Sequence, residues 1–237
     1  MIRGVLIKTT LVDFPGKVAS TYFMSGCNLY CPYCYNVELV EDTLPQEDSV
    51  SPSQLLEHLI KRQKVLGGVV LSGGEPLIHS ELSNLIIEIK KLGLQVKLDT
   101  NGMLPDRLES LLKTKTTSPD FIALDVKTSP ERYYELSREQ TKSEKFAKNI
   151  QKTIKLLSKL PANMREFRTV LVPPLISKDE ISKIAALLPK NASWQFANFR
   201  AENCLNKEYN NIFPYNDNQI KQLVEYAHSL INGAELR

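Results

Sequence analysis

The stretch FMSGCNLYCPYCYN, residues 23–36, contains three of the four cysteines of this 237-residue chain. Cys27, Cys31 and Cys34 are spaced C-x3-C-x2-C and follow the β-branched, apolar segment at 18–23 directly. Structural zinc sites are usually closed by four ligands, commonly two C-x2-C arms or cysteines combined with histidines. Here only one C-x2-C pair exists, and the three histidines are scattered along the chain. The loop therefore offers three thiolates and leaves a fourth coordination position open.

An iron–sulfur cluster matches this loop better than zinc does, because thiolates are the usual ligands of such clusters. Three thiolates would hold three irons of a [4Fe–4S] cube and leave the fourth iron open for another molecule. The remaining cysteine, Cys204, lies far downstream and cannot hold a second cluster alone. We expect it to be a partly buried thiol or a residue near the mouth of an active site.

Strand and helix patterns alternate along the whole chain. After the strand at 18–23, further strands are expected at 69–71, 95–100, 120–128, 164–174 and 194–199. Six strand–helix units predict parallel strands joined by right-handed crossovers. We expect a single α/β domain over 1–237, a partial (β/α)6 barrel with its core at about 15–200 and a C-terminal extension at about 201–237.

Capping residues mark where several helices begin. Ser51 with Gln54, and Ser177 with Glu180, match the capping-box pattern. Ser80 is expected to cap a further helix. Other helices are expected at 104–113, 142–160 and 217–232.

The composition is that of an ordinary globular protein, with 42% apolar and 24% charged residues. A net charge of +3 does not call for a nucleic-acid partner. The apolar runs are too short for a membrane helix, and the N-terminus lacks a signal-peptide core. Four cysteines without a secretion signal argue against a disulfide framework. We therefore expect a cytoplasmic protein with neither a membrane nor a nucleic-acid partner.

The C-x3-C-x2-C loop resembles the signature of radical S-adenosylmethionine enzymes. The resemblance implies that Cys27, Cys31 and Cys34 are the catalytic cluster ligands, and that the amino and carboxylate groups of S-adenosylmethionine chelate the open iron. One electron from the reduced cluster would cleave the sulfonium and yield a 5′-deoxyadenosyl radical. Tyr33 matches the aromatic position of this family, which packs on the adenine. Ordinary loop packing is its structural alternative.

Further motifs lie at the ends of predicted strands, where parallel α/β sheets form their sites. LSGGEP at 71–76 resembles the GGE motif of the same family. By that resemblance, Gly73, Gly74 and Glu75 would receive the methionine ammonium group. A simple glycine turn is the structural alternative for this segment.

LDTNG at 98–102 and LDVK at 124–127 resemble segments of pyruvate formate-lyase activating enzymes. That resemblance implies a monovalent-cation site beside the S-adenosylmethionine carboxylate. The implied residues are Asp99, Thr100 and Asp125 as cation ligands, with Lys127 and Arg168 as cationic contacts to the cofactor. A structural Asp–Lys ion pair is the alternative, since ion-pair networks also cluster in such places.

Two more segments resemble glycyl-radical activating enzymes. LVDFPGKVAS at 11–20 contains their D-x-P-G pattern, so Asp13 would position an incoming substrate loop; a hairpin turn is the structural alternative. QFANFRAENCLN at 195–206 resembles the tail of anaerobic ribonucleoside-triphosphate reductase activating proteins. Tyr35 departs from the pattern, because these enzymes often carry histidine after the third cysteine.

Together these motifs imply an enzyme that abstracts hydrogen from a backbone glycine of a partner enzyme. The favoured partner is an anaerobic ribonucleotide reductase, and a flavodoxin- or ferredoxin-type protein would donate the electron. Two alternatives stay open. One is a radical enzyme acting on a small molecule, similar to 7-carboxy-7-deazaguanine synthase. The other is a non-catalytic zinc or redox module.

Overall fold

The computed structural model describes residues 2–141 and 143–237. In chain order the strands are β1 (Gly4–Thr10), β2 (Ala19–Met24), β3 (Gly68–Gly73), β4 (Gln95–Thr100), β5 (Phe121–Asp125), β6 (Arg165–Leu171), β7 (Trp194–Asn198) and β8 (Ala234–Leu236). The α-helices are α1 (Val37–Glu41), α2 (Pro52–Arg62), α3 (Leu82–Lys91), α4 (Pro105–Leu111), α5 (Glu144–Ser158), α6 (Lys178–Ala185) and α7 (Asp217–Leu230). No helix within these described ranges is long and apolar enough to cross a membrane.

The chain divides into two units. The first comprises Met1–Asn28, Glu38–Thr100 and Asp106–Ile122, and the second comprises Leu29–Val37, Asn101–Pro105 and Ala123–Arg237. The single-domain organisation over 1–237 stays a prediction.

In the first unit, β2, β3 and β4 pair in parallel, and β1 pairs with β2 in the antiparallel sense. The centre of β3 consists of Val69, Val70 and Leu71, which are fully buried, as expected for a parallel strand covered on both faces. Since parallel strands end at the same edge, the carboxyl ends of β2, β3 and β4 lie together. The cysteine loop starts after β2, the GGE segment begins with the last residue of β3, and Asp99 and Thr100 are the last residues of β4.

In the second unit, β6, β7 and β8 pair in parallel. The backbone N–H of Val126, directly after β5, donates to the Arg168 carbonyl of β6 at 2.8 Å. Helix α5 buries Ile150, Ile154 and Leu157, as its helical spacing predicts. The parallel pairing in both units confirms the predicted α/β class.

Two of the three predicted caps are confirmed. The reciprocal capping-box hydrogen bonds form at Ser51 of α2 and at Ser177 of α6. The Ser80 cap was wrong: α3 starts after Glu81, and the Ser80 hydroxyl donates to the Glu81 carboxylate at 2.8 Å instead. The predicted start of the helix at 142 falls on Lys142, which lies outside the described residues. Strands β1 and β8 are absent from the sequence-based prediction.

The D-x-P-G turn between β1 and β2 is anchored by Phe14. This ring is 3% exposed and packs with Ala19, Val70 and Phe121, its centroid 6.2 Å from that of Phe121. Leu11, in the same turn, is 73% exposed. Phe14 therefore fixes the turn to the core, while Leu11 in the same turn faces solvent.

Replacing Phe14 with Ala should lower the free energy of unfolding by about 3–5 kcal/mol, because it removes a buried aromatic ring and leaves a cavity. Leu11→Ala is the matched control in the same turn, and it should change stability by less than about 0.5 kcal/mol. Urea unfolding followed by circular dichroism measures both. Equal stabilities of the two variants would contradict the anchoring role of Phe14.

Candidate functional site

The GGE turn after β3 lies directly against the start of the cysteine loop. Gly74 N–H donates to the Met24 carbonyl at 2.8 Å, and Glu75 N–H donates to the Gly26 carbonyl at 2.9 Å. A Cβ at Gly74 would overlap the Gly26 carbonyl and would lie 3.3 Å from the Cβ of Cys27. Only a residue without a side chain permits this approach. The glycine therefore makes it possible for the turn to pack beside the first cysteine.

Gly73 also requires glycine, because of both its backbone conformation and its close contact with Met24. Its φ of +112° is a conformation that residues with a side chain rarely adopt, and a Cβ there would overlap the Met24 backbone. The sequence alone allowed a simple turn or a functional motif. The structure shows a turn whose two glycines both serve close backbone packing.

Glu75 is fully buried and links the turn after β3 to the end of β4. Its Oε1 accepts hydrogen bonds from the Leu77 N–H at 3.1 Å and from the Thr100 hydroxyl at 2.9 Å. The carboxylate thus caps the single helical turn that follows and holds the end of β4. Its role as an acceptor for the methionine ammonium group stays a prediction.

Asp99, at the end of β4, is engaged by two side chains. Lys97 Nζ donates to its Oδ1 at 2.8 Å, and the Ser72 hydroxyl donates to its Oδ2 at 3.0 Å. Neither Lys97 nor Ser72 was among the site residues predicted from the sequence. The Lys97–Asp99 pair could have been predicted from the sequence. Residues two apart on a strand share a face, and a lysine inside an apolar strand needs a counter-charge.

Asp13 lies in the anchored turn of the first unit. The Thr21 hydroxyl donates to its Oδ2 at 2.8 Å, which orients the carboxylate. Its role in positioning a substrate loop stays a prediction.

In the second unit, the cysteine loop is held by backbone hydrogen bonds from the C-terminal tail. Leu205 N–H donates to the Cys34 carbonyl, and Asn206 N–H donates to the Pro32 carbonyl, each at 2.9 Å. Cys204, just before them, is fully buried, so its thiol is more enclosed than the expected partly buried one. The tail segment that resembled activating proteins therefore packs along the loop.

None of the four cysteines forms a disulfide, and the three of the loop lie within one eight-residue stretch. Burial raises the pKa of the Cys34 thiol, so binding of a metal or cluster must displace its proton. Among residues 2–141 and 143–237, no group of three or more His, Cys, Asp or Glu side chains is placed to hold a metal ion. Three cysteine side chains in C-x3-C-x2-C spacing have the donor chemistry that an iron–sulfur cluster requires.

Asp125 is paired with two cations in the second unit. Arg168 Nε donates to its Oδ1 at 2.8 Å, and Lys127 Nζ donates to its Oδ2 at 3.3 Å. Burial alone would raise the pKa of Asp125, but the two cations outweigh it and lower the pKa to about 2. This carboxylate is therefore ionised at neutral pH and orients both cationic side chains.

Tyr33 has a buried hydroxyl for which the described part of the chain supplies no hydrogen-bond partner. Burial raises the pKa of Tyr33, so the phenol stays neutral. An unpartnered buried polar atom is uncommon in folded proteins and is a feature expected beside a bound group. Tyr35, in contrast, is 62% exposed.

The family model of the Radical SAM superfamily matches residues 21–188. The chain therefore belongs to this superfamily, and the predicted radical SAM type of α/β fold is confirmed. It is an enzyme family whose members use an iron–sulfur cluster and S-adenosylmethionine, and the cysteine loop lies within the matched range.

The chain is similar to several named relatives. A Methanocaldococcus jannaschii protein, named provisionally as a glycyl-radical enzyme activating enzyme, is 27% identical over 100% of this chain and 95% of its own length. The pyruvate formate-lyase-activating enzyme of Clostridium pasteurianum is 28% identical over 75% of this chain and 72% of its own. A Hyperthermus butylicus 7-carboxy-7-deazaguanine synthase is 35% identical, but over 39% of this chain and 38% of its own.

A solved structure supports the fold independently. QueE from Escherichia coli superposes with a TM-score of 0.58 at 15% identity, covering 99% of this chain and 92% of that chain. At this identity the likeness concerns the fold alone.

Gly74→Ala should disrupt the contact between the GGE turn and the cysteine loop, because the new methyl group overlaps the Gly26 carbonyl. We expect a loss of about 2 kcal/mol or more in the free energy of unfolding, as for other overpacked sites. Gly67→Ala is the matched control, since its Cβ would lie 3.5 Å from that of Lys17 in ordinary contact. Wild-type stability in Gly74→Ala, measured by urea unfolding, would show that this approach is dispensable.

Asp125→Asn should cost about 1.5–3 kcal/mol of stability at pH 7, toward the lower figure because the Asp125 side chain is 34% exposed. Its pKa is lower in the folded state, so the ionised form stabilises the fold above the ordinary value of 3.8. That stabilisation is lost as the pH falls toward about 2. Unfolding of both proteins across this range should show the difference shrinking. A constant difference would contradict the ion-pair account.

Proposed function

We propose that this chain is an activating enzyme that generates a glycyl radical in a partner protein. The observation that carries the proposal is the match to a relative named as a glycyl-radical enzyme activating enzyme, over essentially the full length of both chains. The partner would be a glycyl-radical enzyme, with an anaerobic ribonucleotide reductase as the specific candidate. A flavodoxin- or ferredoxin-type donor would supply the electron, and a cytoplasmic location stays a prediction.

The three loop cysteines would hold one [4Fe–4S] cluster. When bound, the cluster and S-adenosylmethionine together supply a 5′-deoxyadenosyl radical. Cys27, Cys31 and Cys34 provide the thiolates that fix the cluster to the chain. The backbone hydrogen bonds of Leu205 and Asn206 hold the second half of the loop, which supports this role by limiting its movement.

The remaining predicted residues would bind and orient S-adenosylmethionine. The Gly73–Gly74 turn and Glu75 would receive the ammonium group, at the turn that packs beside Cys27. Lys127 and Arg168 carry the positive charge that suits a carboxylate, and their common hydrogen bonds to Asp125 fix their direction.

Tyr33 would pack on the adenine. Its unpartnered hydroxyl supports a place for this side chain beside a bound group.

A macromolecular substrate is supported by the turn that contains Asp13. Leu11 and Val12 are 73% and 72% exposed, in a turn that the buried ring of Phe14 anchors to the core. Two neighbouring exposed aliphatic side chains on an ordered turn suit contact with another protein. Asp13, oriented by Thr21, would accept hydrogen bonds from the backbone N–H groups of the substrate loop.

A small-molecule radical enzyme is the second candidate. It is favoured by the identity of 35% to a 7-carboxy-7-deazaguanine synthase over part of the chain. That match covers 38% of the synthase, whereas the activating-enzyme match covers 95% of its relative. The activating function is therefore preferred.

Electron paramagnetic resonance on an anaerobic mixture tests the proposed function. The mixture contains reconstituted protein, a chemical reductant, S-adenosylmethionine and the anaerobic ribonucleotide reductase of the same organism. We expect the doublet of a glycyl radical, and we expect Cys31→Ala to reduce it to background because a cluster ligand is lost. Cys204→Ala is the matched control, a second buried cysteine outside the loop, and it should retain the doublet.

Loss of the doublet in both cysteine variants would show that it reports folding rather than ligation. If the wild-type protein cleaves S-adenosylmethionine but gives no doublet with the reductase, the reductase is excluded as the partner. Cleavage of S-adenosylmethionine without a doublet in mixtures with other glycyl-radical enzymes would favour the small-molecule alternative.

A further inference from the structure

Lys97 is a fully buried lysine whose ammonium lies against a candidate site residue. Its Nζ is 2.8 Å from Asp99 Oδ1 and 5.9 Å from the ring centroid of Phe121, so the charge is held by a carboxylate and by an aromatic face. The Ser72 hydroxyl donates to the other carboxylate oxygen of Asp99. Both oxygens of Asp99 therefore have a donor from the chain, and one of these donors is a full positive charge.

This pairing is fixed by the backbone. Lys97 and Asp99 are two residues apart on β4 and so share one face of the strand. A buried ammonium needs a carboxylate close by, and breaking such a pair leaves an uncompensated charge of high energetic cost. The pair is therefore expected to be kept as long as the first unit is folded.

The other predicted cation ligands are also engaged by the chain. The Thr100 hydroxyl donates to Glu75, and the Asp125 carboxylate accepts from Arg168 and Lys127. A metal cation added at Asp99 would stand next to an ammonium, where like charges repel. Each residue predicted to ligate a monovalent cation thus already has a partner in the chain, and the ammonium beside Asp99 makes that carboxylate a poor fit for a metal cation.

We propose that the Lys97 ammonium takes the place of a monovalent metal cation at Asp99. Lys97 is then a positioning residue: it supplies the positive charge and fixes the carboxylate. The inference deepens the proposed function and rests on it only in assigning Asp99 to the neighbourhood of the S-adenosylmethionine carboxylate. Its consequence is an enzyme that needs no K⁺ or Na⁺ for its stability or for binding the cofactor.

The wild-type protein gives the first test. Thermal unfolding of the cluster-free protein is measured in KCl, in NaCl and in N-methyl-D-glucamine hydrochloride at one ionic strength. We expect midpoints that agree within about 1 °C, whereas a filled cation site would raise the midpoint by several degrees. The affinity of the reconstituted protein for S-adenosylmethionine, measured anaerobically by calorimetry, should likewise differ by less than about twofold between salts.

The second test removes the ammonium. Lys97→Met retains the apolar stem and leaves Asp99 without its counter-charge, so its unfolding midpoint should be low in N-methyl-D-glucamine and should rise as KCl replaces it. Lys90→Met is the matched control: Lys90 pairs with Asp120 at 3.2 Å outside the candidate site, and this variant should not respond to K⁺.

A wild-type protein that is stabilised by K⁺, or that binds S-adenosylmethionine more tightly in K⁺, would overturn the proposal. So would a Lys97→Met variant as stable as the wild type in every salt. If Lys97→Met does not fold, the wild-type measurements still decide. Because the unfolding experiment uses protein without a cluster, its result is independent of whether a glycyl radical forms.

Discussion

The contact between two backbone turns, at Gly26 and Gly74, is the constraint on which the candidate site of the first unit depends. The turns meet so closely that any side chain at Gly74 would occupy the space of the Gly26 carbonyl. Glu75 continues the connection, since its backbone N–H bonds to Gly26 and its side chain bonds to Thr100. The ends of three parallel strands, β2, β3 and β4, are thereby linked beside the first cysteine.

Each unit also pairs a predicted site carboxylate with a lysine two residues away in the chain. In the first unit Lys97 and Asp99 both lie on β4, so strand alternation directs them to one face. In the second unit Lys127, which follows the end of β5, pairs with Asp125. Arg168 adds a second cation to Asp125 from β6. Groups that are oriented before a ligand arrives cost little reorganisation when it binds. The chain thus places a cationic side chain of its own beside each of these two carboxylates.

The sequence predicted those features that depend on local chemistry. The extent of β4 and the capping boxes of α2 and α6 follow from residues within a few positions of each other. Strand β8 was missed because its three residues are too few to show a pattern. Strand β1 has seven residues, but its sequence GVLIKTT does not alternate between apolar and polar residues. The Ser80 cap failed because Glu81 competes for the same hydroxyl.

The packing of the tail along the cysteine loop could not be predicted from the sequence either, because it is made by backbone hydrogen bonds between residues far apart in the chain. The identity of the cysteines as cluster ligands, in contrast, could be inferred from spacing and family alone.

That the three loop cysteines hold a cluster is the central claim, and one measurement tests it most directly. Anaerobically reconstituted protein is assayed for iron and sulfide, then reduced and examined by electron paramagnetic resonance with and without S-adenosylmethionine. One [4Fe–4S] cluster per chain, with a spectrum that changes when S-adenosylmethionine is added, is the expected result. Protein that takes up zinc and no iron, or a cluster spectrum indifferent to S-adenosylmethionine, would contradict it.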